Sequence, residues 1–169
     1  MKSNKQERPV LKLELTLTDR LLEVLGWLIL IFLWTVTLLD YSGLPDTIPT
    51  HFDFAGKPND FGSKMTIFAL PVFGTLMFVG MTILNRFPHI FNYPTKITDQ
   101  NARRLYTIAT RLLRYLKLMI VLIYSVIVLM TTRSAEYRLS GPGKWFLPLF
   151  MGVIFIPLIY AIIKLFKSA

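Results

Sequence analysis

"LEVLGWLILIFLWTVTLL", Leu22–Leu39, carries one carboxylate near its start and no other charge. A surface helix of a soluble domain keeps a polar face along its whole length, and this run has none. It comes close to the roughly 20 apolar residues that cross the hydrocarbon core of a bilayer. Three more runs have the same character. They are "TIFALPVFGTLMFVGMTIL" at 66–84, "LLRYLKLMIVLIYSVIVLM" at 112–130 and "WFLPLFMGVIFIPLIYAII" at 145–163. In lipid the backbone must satisfy its own hydrogen bonds, so each run is expected to be helical. The expected fold is an all-α integral membrane protein. It is a four-helix transmembrane bundle with a structured extracytoplasmic loop and a cytoplasmic helix extension.

Composition agrees. Of the 169 residues, 53% are hydrophobic and 17% charged, too few charges to cover a soluble domain of this size. The net charge of +9 could suit nucleic acid, but the cations sit at the ends of apolar runs rather than on a soluble face. Nucleic acid is therefore not an expected partner, and the lipid bilayer is. With no cysteine, disulfides, thiolate catalysis and cysteine zinc sites are excluded. The first apolar run is too long for a cleaved leader and lacks a small-x-small cleavage site, so it reads as a retained signal anchor.

Lysine and arginine set the expected orientation. Most of the 19 fall before span one, between spans two and three, or after span four. That side is expected to be cytoplasmic, with both termini inside. The chain then divides into an inner segment 1–21, span one 22–39, an outer loop 40–65 and span two 66–84. An inner loop with a basic helix follows at 85–111, then span three 112–130, a second outer loop 131–144, span four 145–163 and an inner tail 164–169.

Between the spans, "VLKLELTLT" at 10–18 alternates strictly and predicts a short strand, leucines down on the membrane interface, with Thr18 or Asp19 capping span one. Thr98 is a plausible N-cap for a helix from Asp99 to Met130, which at 1.5 Å per residue reaches about 48 Å and must project beyond the bilayer. Arg104, Arg111 and Arg114 are expected on one face of it, meeting anionic lipid headgroups or a cytoplasmic partner. Pro71, Pro148 and Pro157 lie within spans and predict kinks. Gly74, Gly80 and Gly152 predict close helix approach. No Asp or Glu sits at mid-membrane, which counts against ion-coupled transport.

The first outer loop contains "LPDTIPTHFDFAGKPNDFGSK", Leu44–Lys64. "TIPTHFDF" alternates as a strand, with Thr50, Phe52 and Phe54 on one side and His51 and Asp53 on the other. "AGKPNDFGSK" is dense in turn residues, and Ser63 can cap span two. The expected shape is an extended segment plus a compact turn, with Phe52, Phe54 and Phe61 pressed on the helix ends. A loop built to hold one shape can present a surface. The candidate binding residues are Pro45, Pro49, His51, Asp53, Gly56, Asp60, Gly62 and Lys64. His51 is expected to hydrogen-bond Asp53 or a backbone carbonyl. A metal on His51 and Asp53, with Asp46 or Asp60 as a third ligand, is the weaker alternative because no recognised ligand spacing is present. No catalytic residue, metal or cofactor is expected.

The pattern Leu44-Pro45, Ile48-Pro49-x-His51, Gly56 and Gly62-x-Lys64 resembles the signature of a bacterial membrane family of unknown function related to the SdpI-type immunity protein. "ITDQNARRLYTIATRLLRYLK" is similar to that family's cytoplasmic helix entering span three. The resemblance implies a polytopic, non-enzymatic protein of the bacterial cytoplasmic membrane, with a peptide or another membrane protein as partner. Peptide-toxin immunity or envelope sensing through the outer loop is the implied role. The alternatives are a structural subunit of a larger membrane complex, or a metal-dependent enzyme or transporter using His51 and Asp53.

Overall fold

A computed structural model describes residues 8–137 and 143–168. Lys2, Lys5 and Arg138, which enter the charge asymmetry, lie outside the described residues. Among the described residues, four helices are long and apolar enough to cross a membrane. They are α1 (Leu17–Tyr41), α2 (Ala69–Leu84, entered through a 3-10 turn at Lys64–Phe68), α3 (Ala102–Tyr137) and α4 (Phe146–Phe166). Strands β1 (Thr47–Phe52) and β2 (Pro58–Ser63) form an antiparallel hairpin between α1 and α2. The loop expected as an extended segment plus a turn is thus a two-stranded hairpin, because the turn residues end at Lys57 and the chain then pairs back.

α3 is the central post: α1, α2 and α4 all pack on it, and β1 leans on its end. Leu30, Leu33, Phe78, Val121 and Val128 interlock at mid-bundle, and Leu44, Ile48 and Ile67 extend this core under the hairpin. A second core of Tyr93, Ile97, Leu105, Tyr106 and Leu165 closes the opposite end. Outside the cores the surface is apolar, with Ile31 60% and Ile156 70% exposed. Such residues on water would be costly at about 25 cal/mol per Å2 of apolar area, so these faces point to a lipid bilayer environment.

Several local expectations change. Residues 8–16 form no strand, since no neighbouring segment pairs with them. Leu11 and Leu13 nevertheless pack against the second core. The cap of α1 is Thr16 rather than Thr18 or Asp19. Asp19 is its capping-box partner, accepting from the Thr16 backbone N–H at 3.0 Å. Thr98 does start the third helical segment: its N–H donates to Asn101 Oδ1 at 2.8 Å and its hydroxyl accepts from the Asn101 N–H. The regular helix begins at Ala102 and runs past Met130 to Tyr137. Ser63 caps the turn into α2, as expected. Pro71 and Pro148 fall in the first turns of α2 and α4, where no intrahelical bond is lost. Pro157 alone of the three sits in a helix interior.

Of the glycines expected at close contacts, Gly74 meets Tyr124 and Leu33, while nothing lies within 4 Å of a Cβ built at Gly80. Gly152 meets only Ile156 of its own helix. The tightest helix approach is instead at Gly26, where a Cβ would stand 2.7 Å from the Phe78 ring.

Candidate functional site

The hairpin is held at its base, middle and tip. At the base, the Lys64 N–H donates to Asp46 C=O at 3.0 Å and the Lys64 ammonium pairs with Asp46 at 3.1 Å. At the tip, Asp53 Oδ1 accepts from the backbone N–H groups of Ala55 (2.8 Å) and Lys57 (2.9 Å). Gly56 takes a left-handed φ of 75° there, which favours glycine. Its Cα faces the start of the α4 segment so closely that a Cβ would lie 2.1 Å from Gly143 N. The hairpin therefore bridges from the end of α1 across the bundle to the threshold of α4.

The register slips on either side of His51. Pro49 faces Phe61, His51 faces Asp60 and Phe52 faces Pro58, so Thr50 and Asn59 are the extra residues. Bulges of this kind re-aim side chains. Here the His51 ring turns across the ladder and its Nδ1 meets Asn59 Oδ1 at 2.5 Å. Neither expected partner, Asp53 or a backbone carbonyl, meets the ring among the described residues, and Asp53 is engaged in the tip.

The edges of the hairpin are blunted. The Lys64-to-Asp46 bond makes 46/64 and 48/62 the facing hydrogen-bonded pairs, by the alternation of an antiparallel ladder. Pro49 then turns its nitrogen outward, where no donor exists. The outward N–H of Phe61 is taken by Asp60 Oδ1 at 2.9 Å. Both devices discourage strand addition.

Between the hairpin and the ends of α2, α3 and α4 lies a cavity of about 770 Å3. Ile48, Ile67, Leu70, Ile127, Met130 and Phe146 make most of its wall, and His51, Asp53, Asn59 and three threonines supply the polar rim. Mostly apolar lining with a few placed polar groups is the usual form of a binding site. Of the eight candidate residues, Pro49, His51, Asp53 and Gly56 line this cavity. Pro45, Asp60, Gly62 and Lys64 do not: Gly62 gives room to Thr50, Asp60 closes off the outward Phe61 N–H, and Lys64 holds the base of the hairpin. Phe54 and Phe61 are 86% and 58% exposed, so they are not pressed on the helices. Buried Ile48 and Leu44 do that work. Among the described residues no group of three or more His, Cys, Asp or Glu side chains could hold a metal ion.

A second polar constellation lies at the other end of the bundle. Asp19 and Glu23 stand one turn apart on α1, facing Arg111, Arg114 and Lys117 at three-residue steps on α3. Arg111 donates to both Asp19 oxygens at 2.9 and 3.1 Å. Arg114 donates to Glu23 at 3.1 Å and Lys117 to the other Glu23 oxygen at 2.6 Å. Lys117 also donates to Thr82 Oγ1 of α2 at 2.7 Å and lies 4.4 Å from the Phe78 ring centre. Its side chain is fully buried and that of Arg114 is 8% exposed. The network therefore clamps α1, α2 and α3 together. Arg111 and Arg114, expected beside Arg104 on a lipid or partner face, turn inward to α1, while Arg104 stays exposed. Glu23 and Lys117 had no role in the sequence reading, and Asp19 entered it only as a possible cap of span one. The available signal was a carboxylate pair at i,i+4 opposite cations at i,i+3.

Residues 28–75 match a family described as a domain of unknown function (DUF1648). The matched stretch runs from mid-α1 through the whole hairpin into α2. An uncharacterized protein of Archaeoglobus fulgidus is 38% identical over 88 residues, covering 47% of this chain and 48% of the relative. The chain thus spans about half the length of this curated relative. No solved structure matches the chain significantly.

Proposed function

We propose that the chain is a non-enzymatic polytopic membrane protein whose hairpin end binds a peptide or another membrane protein. The role is peptide-toxin immunity or envelope sensing, in line with the resemblance to the SdpI-type family. The observation that carries this reading is the apolar cavity roofed by the hairpin. The similarity to a family of unknown function covers the hairpin and adds no activity of its own. In this reading the hairpin faces outward from the bacterial cytoplasmic membrane and both termini lie inside. Arg86, Lys96, Arg103, Arg104, Lys164 and Lys167, at the end opposite the hairpin, favour that orientation.

The test is a deletion in the source strain, exposed to filtered culture fluid of the parent and restored with wild type or with Ile48→Asp in the cavity wall. Death of the deletion strain and rescue by wild type alone supports immunity through the cavity. Equal survival of all strains, in fluid that kills an indicator strain, overturns self-immunity.

A second reading, as a structural subunit of a larger complex, is favoured by the open surface at Gly80 of α2. It predicts stable co-purification with another membrane protein that Gly80→Leu disrupts.

A further inference from the structure

Among the described residues that line the hairpin cavity, Asp53 is the one charged side chain, in a chain whose net charge is +9. One of its oxygens, Oδ1, is committed to the Ala55 and Lys57 N–H groups. Oδ2 accepts no hydrogen bond among the described residues, and Lys57, four residues on, forms no ion pair with it. His51 lines the same cavity, with Nδ1 turned to Asn59 and Nε2 without a hydrogen-bond partner among the described residues. The Asp53 carboxylate and the His51 imidazole thus both line a largely apolar space whose described lining residues include no lysine or arginine.

Resting on the reading of this cavity as a binding site, we propose that it takes a peptide with apolar side chains and a primary ammonium group, with Asp53 as counter-ion and His51 Nε2 as acceptor. The ammonium supplies three donors and one positive charge, which match these two groups. Thr50, Asn59, Thr66 and Thr131 on the cavity wall supply partners for a peptide backbone. A phosphatidylethanolamine headgroup also carries an ammonium. It would bring a phosphate with it, and the described lining residues offer that phosphate no lysine or arginine and a repelling carboxylate. The peptide is therefore the fitting source.

The experiment uses the full chain in phosphatidylcholine nanodiscs without a histidine tag, in a His89→Gln background, so that His51 is the sole imidazole. The His51 ring 15N signals are followed at constant pH. The probes are leucyl-leucyl-alanyl-leucinamide with a free N-terminus and the same peptide N-acetylated. Asp53→Asn removes the charge and keeps an oxygen for the tip hydrogen bonds, since asparagine forms the same turn. The free peptide should bind about tenfold tighter than the acetylated one, the scale of one charge-assisted hydrogen bond, and Asp53→Asn should bring the two within about twofold. Equal binding of both probes, unchanged by Asp53→Asn, overturns the ammonium site and leaves the cavity reading standing. If neither probe moves the His51 signals, the cavity reading fails as well. Appearance of the bound signals in phosphatidylethanolamine discs without peptide overturns the peptide in favour of the lipid amine.

Discussion

Lys117 shows how much one residue costs and secures in this molecule. A fully buried ammonium loses its hydration, and it persists here because Glu23, Thr82 and the Phe78 ring surround it. Removing Glu23 leaves the buried Lys117 ammonium without a carboxylate, whereas removing Lys117 leaves Glu23 still paired with Arg114. Glu23→Leu alone should destabilise the protein by about 3–5 kcal/mol, whereas the double variant Glu23→Leu with Lys117→Met should cost markedly less. Unfolding in mixed micelles titrated with SDS measures both, and equal losses would show that the pair is not a coupled unit. The glycines make a second pair of expectations. Gly26→Ala drives a methyl into the Phe78 ring and should cost about 1–3 kcal/mol, while Gly80→Ala, with open space around it, should stay within about 0.5 kcal/mol.

At the scale of the element, the hairpin depends on its tip. Gly56 combines a left-handed backbone with contact against Gly143, so Gly56→Ala is strained both ways. The expected outcome is a hairpin lifted from the α4 segment, cut by protease near residues 53–57, with helix content by circular dichroism unchanged. Protection equal to wild type would mean that the tip contact does not hold the roof of the cavity. The Asp46–Lys64 pair at the base is different in kind. Asp46 is almost fully exposed, and such pairs contribute about 0–1 kcal/mol. Asp46→Asn should therefore change stability little. Thr16→Ala removes the cap of α1 and should cost about 1 kcal/mol in the same unfolding assay.

For the whole molecule, orientation is the leading question, and the cysteine-free sequence makes it directly measurable. Lys57→Cys at the hairpin tip should react with a membrane-impermeant maleimide on intact cells. Lys96→Cys, at the opposite end, should react only after permeabilisation. The reverse pattern would place the hairpin in the cytoplasm and remove the basis for an outward-facing binding site. The layout around α3 also bears on function. α4 packs chiefly on α3 and leaves most of its surface to lipid, so the hairpin and α4 can both shape the cavity mouth without sharing the mid-bundle core.

By itself the sequence determined the four apolar helices, the Ser63 cap, the Thr98 cap of the third helical segment and the turn chemistry within Leu44–Lys64. These are local matters: in lipid a helix satisfies its backbone within its own segment, and caps and turns are settled by a few neighbouring residues. The tertiary structure decided which way each helix turns about its axis, and therefore which side chains meet. Glu23 and Lys117 are 94 residues apart, and their pairing depends on the rotation of α1 against α3. The second strand, the turn of His51 to Asn59, the approach of Gly56 to Gly143 and the cavity they enclose depend in the same way on contacts distant in sequence. The alternation of residues 10–18 was equally visible in the sequence, and no strand formed, because a strand needs a partner that only the rest of the fold can provide.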